Sequence, residues 1–525
     1  MGTRTADAAV SALIDALGAD AVAVEPQRLA EFRDPYTFQG WSAPDPVAVV
    51  SPGSVEEVRR VVVIANQHEV PLWTFSQGRN NAYGGASARV PGSVLVSLRR
   101  MNRVLEIDEE LAYALVEPGV RFFDLYDAVR AASERLWISV PVLGWGSVVG
   151  NTLEAGWGYT PHGDHASHFC GLEVVLGTGE LLRTGMGALP AGRAWQAHKR
   201  AFGPSTDGLF VQSNFGIVTK MGVWLMPKPE AYVHCRVQVP ERDDVAGLAE
   251  TLGPLLLDRT IQGVPLISLG PPPGRRWTAR FGLYGRAPVV EAQLAVVRTA
   301  FAALPGAELE AVHYGADEVA LGAGDMLERV MAGIPSMDAM AVVRLQGGEH
   351  GGQLDFSPVA PLRGADVLRL CELVRSHVEA AGFPYSPGLI VTPRSIIHTS
   401  HMPFDTLDEQ RVGAAFELYP RLAAATAAAG YGIYRSHVRF MDTVAAQYDW
   451  GEGALGRLNE RLKDALDPRG ILSPGKQGVW GMAARARWGA TALQAEASRR
   501  SGSRPGGRAD DVGQPPDERA RGAEL

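Results

Sequence analysis

A glycine-rich stretch near residue 80 has the residue types that bind an anion. It reads Ser-Gln-Gly-Arg-Asn-Asn-Ala-Tyr-Gly-Gly over 76–85 and follows a short apolar run that predicts a buried strand. Glycines let backbone N–H groups approach an anion closely, and Arg79, Asn80 and Asn81 add donors. The turn can therefore hold a pyrophosphate, and Tyr83 within it can face whatever lies beyond the phosphates. A glycine-rich turn alone is a weak signal, because most are only tight turns.

The densest polar cluster lies at 162–168, where three histidines accompany Asp164. Imidazole and carboxylate groups are ligands of divalent metals. The His-x-x-His spacing suits a metal best on a regular element, whereas a proline and a glycine here predict a loop. Three interpretations stay open from the residues alone: a metal site, a single catalytic Asp164, or a structural cluster.

Three further features are weak in isolation. His398 lies beside a strand-like stretch, where a histidine is more often packed than active. The pair Tyr434-Arg435 resembles an ordinary surface pair. A Gly-x-Gly-x-x-Gly run occupies 451–456, but no strand precedes it, so we interpret it as the approach to a helix rather than a nucleotide loop.

The secondary-structure signals around these residues divide the chain into two parts. Strand and helix signals alternate from about 45 to 100, and Ser54 with Glu57 predicts a capping box. Alternating patterns predict hairpins at 104–117 and 172–183, and a second glycine-rich segment spans 141–151. From about 230 to 432, strand-like pieces at 232–239, 277–284, 307–313 and 340–345 alternate with helical ones. This second part predicts one antiparallel sheet covered by helices.

Bulk properties set the class of protein. A chain of 525 residues exceeds one compact core, so two or more domains are expected. A net charge of -8 argues against a nucleic-acid or anionic membrane surface. Three widely spaced cysteines form no metal pair or disulfide framework, and no signal peptide or membrane-spanning run is evident. We therefore expect a cytoplasmic protein.

Several long motifs, in order, resemble the vanillyl-alcohol oxidase/p-cresol methylhydroxylase flavoprotein family, most closely its bacterial 4-alkylphenol (eugenol-type) oxidases. The motifs stand at 78–86, 116–120, 146–151, 158–165, 181–190, 434–437 and 467–476. The resemblance implies an α+β, two-domain FAD-binding fold with an inserted cap domain of antiparallel sheet covered by helices. It places the FAD-binding domain at 1–228 and 433–482 and the substrate cap at 229–432. The tail, 483–525, is predicted to be disordered.

The resemblance also implies how FAD is bound. It matches the pyrophosphate to 76–81 and 146–151, and His398 to the cap histidine that bonds covalently to the flavin 8α-methyl group. A second histidine that assists this bond in some relatives is absent near the N-terminus, where the first histidine is His68. The matched cofactor-binding positions are Ser76, Gly78, Arg79, Asn80, Asn81, Pro141, Gly146, Ser147, Val148, Gly150, Asn151, Tyr159, Gly216, Val218, His398 and Lys476.

The implied reaction is the oxidation of para-substituted phenols. Tyr83, Tyr434 and Arg435 match the family's phenolate-binding trio, and Asp164 matches the carboxylate near the reacting carbon. Hydride would pass from the benzylic carbon to flavin N5 through a p-quinone methide, and dioxygen would reoxidise the flavin to give hydrogen peroxide. A dehydrogenase with a cytochrome acceptor is the alternative, and a metal-dependent hydrolase built on 162–168 is a distant one. By analogy we expect a homodimer or higher homo-oligomer.

Overall fold

The computed structural model describes residues 2–270, 275–315 and 324–489. The predicted disordered tail lies outside the described residues from 490 onward. Its first residues differ from the prediction, because Met482–Ala484 and Arg485–Gly489 are helical. Ala484 is buried there beside Val90, and Trp488 packs against the same cluster. These contacts explain why the segment is ordered.

The N-terminal part forms a mostly parallel four-stranded sheet in the order Val22–Ala23, Ala48–Val50, Val94–Ser97, Leu72–Phe75. Helix Val55–His68 buries a valine-rich stripe against it and contacts helix Gly2–Leu17. The Ser54 side chain caps this helix by accepting from the Glu57 N–H. The Glu57 carboxylate reaches the Gly53 N–H, one residue before the position that a capping box requires.

A five-stranded antiparallel sheet follows, and it contains both predicted hairpins. Its order is Val104–Asp108, Tyr113–Val116, Gly216–Trp224, Phe169–Leu176, Leu181–Arg183. Helices Phe122–Ala132 and Val148–Leu153 contribute to its core. A two-stranded ribbon pairs Leu136–Trp137 with Met226–Pro227.

The largest sheet has eight strands, and all of its pairs are antiparallel, as predicted for the second part of the chain. Its path runs through Glu308–Gly315, Ala231–Val239, Trp277–Gly285, Leu266–Leu269, Pro387–Val391, Ser395–Asp405 and Gly351–Phe356, with Val359–Pro361 also on Ser395–Asp405. One face packs against helices Val245–Leu257, Ala287–Ala302, Gly364–Ala380 and Glu409–Ala428.

The predicted strand at 340–345 is wrong, because the structure has a helix over Ala339–Gly347. A short apolar run fits both the strand and the helix period, so periodicity alone could not decide. The helix ends at Gly348, whose φ of 87° stops it in a conformation that glycine favours. The remaining helices are Pro26–Ala30, Met326–Met331, Met441–Ala445 and Trp450–Leu466.

The C-terminal segment returns to the first sheet. The Leu72 N–H donates to the Ile471 carbonyl at 2.8 Å, and the Ser473 N–H donates to the Leu72 carbonyl at 2.7 Å. The Gly-x-Gly-x-x-Gly run lies at the start of helix Trp450–Leu466, where Gly451, Glu452 and Gly453 have positive φ values, so the run leads into the regular helix, as predicted. In the described part of the chain, no helix has the length and apolarity to cross a membrane. The domain boundaries at 228, 432 and 482 stay predictions.

Candidate active site

The glycine-rich turn leaves strand Leu72–Phe75 as the sequence predicts. Gly78, Gly84 and Gly85 have φ values of 63°, 95° and 59°, which other residues rarely adopt. Asn81–Tyr83 forms a single 3-10 turn between them. Arg79 and Asn80 are exposed at the start of the loop, and the Arg79 guanidinium lies 5.5 Å from the centre of the Trp145 ring. The turn therefore presents donors at one end and Tyr83 at the other.

The two segments matched to the pyrophosphate meet in the structure. A Cβ on Gly150 would collide with the Ser76 hydroxyl, so only glycine permits this approach. No atom lies within 4 Å of the position that a Cβ at Gly146 would take. The Ser147 hydroxyl accepts from the Gly150 N–H at 3.0 Å and donates to the Pro118 carbonyl at 2.6 Å, which fixes the loop. This pair of loops, with an open backbone at Gly146, fits a pyrophosphate.

The other matched positions surround these loops. Val218 is buried in the five-stranded sheet, two residues beyond Gly216, and pairs with Val174. Lys476 forms an ion pair with Glu154. The remaining matched positions are the half-buried Pro141, the half-buried Asn81, the buried Val148, the buried Tyr159, and Asn151, which lies 2.6 Å from a ring nitrogen of His165.

Tyr83, Tyr434 and Arg435 lie together. The Arg435 guanidinium carbon is 4.6 Å from the centre of the Tyr83 ring and 5.9 Å from that of Tyr434. Burial disfavours a charged guanidinium, but Tyr434, Tyr83 and Glu154 outweigh it and raise the pKa of Arg435. Burial, with the charge of Asp355, raises the pKa of Tyr83 well above its ordinary value. The group is thus one permanent cation beside two phenol side chains.

Ser357, which the sequence did not single out, holds this group together. Its hydroxyl lies 3.0 Å from the Tyr83 hydroxyl, and its carbonyl accepts from the Tyr434 N–H at 3.3 Å. The next residues continue the contact, since the Val359 N–H donates to the Gly432 carbonyl at 2.8 Å. The serine connects the glycine-rich turn to the Tyr434 segment through the edge of the large sheet. No local motif marks it in the sequence.

Asp164 approaches the same region from the other side. It pairs with Trp157 in an isolated antiparallel bridge, and Trp157 packs with Tyr434 against a cluster formed by Val264, Ile390 and Ile397. The Asp164 carboxylate accepts from the Ser167 hydroxyl at 2.6 Å. One apolar cluster is therefore bordered by the loop of Asp164 and by Tyr434.

The three histidines around Asp164 have separate structural contacts. The rings of His162 and His168 stack at 4.2 Å, and burial lowers the pKa of His162 to about 4. His165 is turned inward between Asn151 and Ser139, where burial lowers its pKa to about 3. Within the described ranges, no three or more His, Cys, Asp or Glu side chains are grouped to hold a metal ion.

The structure does not bring His398 to the trio, and the bond between His398 and the flavin stays a prediction. On strand Ser395–Asp405, Ile396 and Met402 belong to the helix-covered core, whereas Ile397 packs in the cluster with Tyr434. Successive side chains of a strand alternate between faces, so His398 shares the helix-covered face. It is fully buried, and its Nε2 lies 2.9 Å from the Tyr385 hydroxyl.

The opposite face carries polar residues that the sequence analysis also missed. Asp355 Oδ1 lies 2.7 Å from His401 Nδ1 and accepts from Gln353 Nε2 at 2.9 Å. Gln353 Nε2 is also 3.0 Å from His401 Nδ1. Burial lowers the pKa of His401, but the charge and hydrogen bond of Asp355 outweigh it and raise that pKa overall.

Comparisons with known proteins identify the family of the chain. Residues 46–185 match the FAD binding domain family, and residues 398–477 match the C-terminal domain of FAD linked oxidases. The chain is 32% identical over 496 residues to the 4-cresol dehydrogenase [hydroxylating] flavoprotein subunit of Pseudomonas putida, covering 88% of this chain and 94% of that protein.

Solved structures give the same result. The 4-ethylphenol oxidase of Gulosibacter chungangensis, in an isoeugenol complex, superposes with a TM-score of 0.87 at 35% identity, over 92% of this chain and 99% of that one. p-Cresol methylhydroxylase with substrate bound superposes with a TM-score of 0.84 at 31% identity, over 91% of this chain and 98% of that one. The chain therefore belongs to the vanillyl-alcohol oxidase/p-cresol methylhydroxylase family of FAD-dependent flavoproteins.

Proposed function

We propose that this protein is an FAD-dependent oxidase of para-substituted phenols such as 4-alkylphenols. The observation that carries the proposal is the position of Arg435 over Tyr83 and beside Tyr434. Relatives named for 4-cresol and 4-ethylphenol support the substrate class. FAD binding itself follows from family membership.

The trio would ionise the substrate. A free phenol has a pKa of about 10, so it is mostly neutral at pH 7. A neighbouring guanidinium with two hydroxyl donors favours the phenolate and lowers that pKa. The phenolate pushes electron density toward the para carbon, which eases departure of a hydride from the benzylic carbon and leaves a p-quinone methide.

Asp164 would act at the other end of the substrate. The Asp164 loop borders the cluster that contacts Tyr434, so a ring bound between them would direct its para substituent toward the loop. The carboxylate can take a proton from water that adds to the quinone methide, or from the hydroxyl of a benzylic alcohol. An alcohol would thus form from an alkyl group and an aldehyde from a benzylic alcohol.

FAD, which residues 76–81 and 146–151 would hold together with Lys476, would supply the hydride acceptor when bound. We propose dioxygen as the final acceptor, as the name of the 4-ethylphenol oxidase indicates for that relative. A protein acceptor is the second candidate, because the relative from Pseudomonas putida is named a dehydrogenase.

The test uses the purified holoenzyme and 4-ethylphenol. Under anaerobic conditions we expect the yellow flavin absorption to bleach, and on admission of air to recover with one equivalent of peroxide. Bleaching followed by slow recovery in air, but fast recovery with an artificial electron acceptor, would favour the dehydrogenase. No bleaching with 4-ethylphenol or vanillyl alcohol would contradict the proposed function.

A further inference from the structure

The face of the large sheet that meets Tyr83 contains an unusual polar row, formed by Gln353, Asp355 and Ser357. These residues alternate with Leu354 and Phe356, which are buried in the core beneath the helices. The row therefore lies on the opposite face. Ser357 ends the row at the Tyr83 hydroxyl, 3.0 Å away. Asp355 is therefore the adjacent residue on the same face, beside the group that would bind the phenol oxygen.

This polar row is an exception on its face. The neighbouring strands present Leu266, Ile390 and Ile397 to the same side, in the apolar cluster that contacts Tyr434. A carboxylate among apolar side chains costs free energy unless it is paired. The pairing here is partial, because both neighbours of Asp355 contact its Oδ1.

Two polar atoms remain for a ligand. Among the described residues, no hydrogen bond is made by Asp355 Oδ2 or by His401 Nε2. Neither of these unpaired atoms is completely buried, so both border accessible space. The side chains of Asp355 and His401 are 14% and 31% exposed. An acceptor and an imidazole nitrogen thus stand beside the phenol end of the site.

The charge of Asp355 also has a consequence for the substrate. It raises the pKa of the Tyr83 phenol, so it opposes a second negative charge in this region. An unsatisfied carboxylate would likewise oppose ionisation of a bound phenol. A hydrogen-bond donor on the substrate, placed on the ring carbon next to the phenolic carbon, would bind the carboxylate and offset that repulsion.

We propose that Asp355, paired with His401, forms a specificity subsite for a second ring hydroxyl, so that the preferred substrates are 4-substituted catechols. The proposal rests on the proposed function, because it assumes that the trio anchors the phenolic oxygen. A site built to bind a hydroxyl discriminates against ligands that lack it, since its polar atoms are then left unpaired.

The test measures binding of ligands that have no para substituent to oxidise. Phenol, catechol and 2-methoxyphenol are titrated anaerobically into the oxidised holoenzyme, with the shift of the flavin absorption as the readout. We expect catechol to bind about tenfold more tightly than phenol, as one hydrogen bond to a charged acceptor provides. We expect 2-methoxyphenol to show no such gain, because its ether oxygen cannot donate.

Asp355→Leu should reduce the catechol-to-phenol ratio to near one, and Asp355→Asn, whose amide oxygen is a neutral acceptor, should reduce it partway. The control is Asp366→Asn, which alters a carboxylate bound to the Tyr431 hydroxyl elsewhere in the cap and should keep the ratio. Asp355→Asn preserves side-chain shape, so the test does not depend on the leucine variant folding. Far-ultraviolet circular dichroism and flavin content verify that each variant is native.

The inference would be overturned by equal binding of phenol and catechol, by an equal gain for 2-methoxyphenol, or by a ratio that survives both Asp355 variants. These results differ from failure of the proposed function. If 4-ethylphenol still bleaches the flavin and phenol still binds, only the catechol subsite is refuted. If phenol leaves the flavin spectrum unchanged and 4-ethylphenol causes no bleaching, the phenol-oxidising function fails first.

Discussion

The two faces of the large antiparallel sheet present different environments to side chains that are close in sequence. The helix-covered face belongs to a core that includes Leu354, Phe356, Ile396 and Met402. The opposite face meets Tyr83 and Tyr434 and mixes an apolar cluster with the polar row. One strand pair, Gly351–Phe356 with Ser395–Asp405, supplies residues to both.

The histidines of this strand pair show what the difference means. His398 and His401 are separated by two residues, yet alternation directs them to opposite faces. His398 is sealed against Tyr385, whereas His401 is partly accessible beside Asp355. The face on which each histidine lies determines which side chains it contacts.

The largest expected effect comes from a substitution beside the face that meets Tyr83 and Tyr434. Arg435→Ala should lower kcat/KM for 4-ethylphenol by at least about 100-fold, because the cation that stabilises the phenolate is lost. Arg435→Lys should recover part of this loss, since it restores the charge but not the planar fork. Steady-state peroxide production provides the measurement.

The matched control is Arg411→Ala, in a cap helix where the guanidinium stacks on Phe383 and bonds to the Gly382 carbonyl. We expect this variant to keep kcat/KM within about twofold, because the contacts of this half-buried side chain do not include the trio. An Arg435→Ala enzyme with nearly normal kcat/KM would break the distinction between the faces.

A substitution on the helix-covered face should change the stability of the protein. His398→Ala removes a fully buried ring and its hydrogen bond to Tyr385, and should lower the free energy of unfolding by about 2–4 kcal/mol. The fraction of flavin that stays with acid-precipitated protein tests the predicted bond separately, because loss of a packed ring alone would not change it. Thermal unfolding at a fixed FAD concentration and the colour of the pellet are the two measurements. A pellet that is yellow in the wild type and colourless in the variant would confirm His398 as the flavin attachment site.

Removing the hydroxyl group of one tyrosine on each face compares the two faces through the same chemical change. Tyr83→Phe should reduce kcat/KM about tenfold, because one hydrogen bond to a charged group is lost. Tyr385→Phe should instead lower the melting temperature, because it removes a partner of the buried His398, and should keep kcat/KM. The reverse assignment of these two effects would be incompatible with the site as described.

Sequence patterns predicted what local chemistry controls. The hairpins at 104–117 and 172–183 follow from alternation and turn residues, and the glycine-rich turn from its composition. Alternation also divides 353–357 into polar and apolar sets, but it cannot say whether solvent or a binding site covers the polar set. Ser357 and Asp355 gain their roles from residues distant in the chain, such as Tyr83, and for that reason the sequence did not reveal them.

The smallest expected effect is a difference in pH dependence between the two histidines. Burial lowers the pKa of His398 to about 3, below its unfolded value of about 6.5. Its contribution to stability is therefore complete above pH 6.5 and is lost as the pH falls, by on the order of 1–2 kcal/mol between pH 7 and pH 5. The pKa of His401 is raised by Asp355, so its contribution has the opposite sign: it is present below about pH 6.5 and is lost as the pH rises through the folded value.

Denaturant midpoints at pH 5 and pH 7, at one FAD concentration, separate these contributions. His398→Asn should make the loss of stability at pH 5 smaller than in the wild type, because the variant has no buried imidazole to protonate on unfolding. His401→Gln should make that loss larger, because it removes a group that stabilises the fold when protonated. The half-buried His162 and the buried His165, whose pKa values are also lowered, keep the overall slope in the same direction in both variants. Equal slopes in the two variants would mean that the histidines share one environment, contrary to their placement on opposite faces.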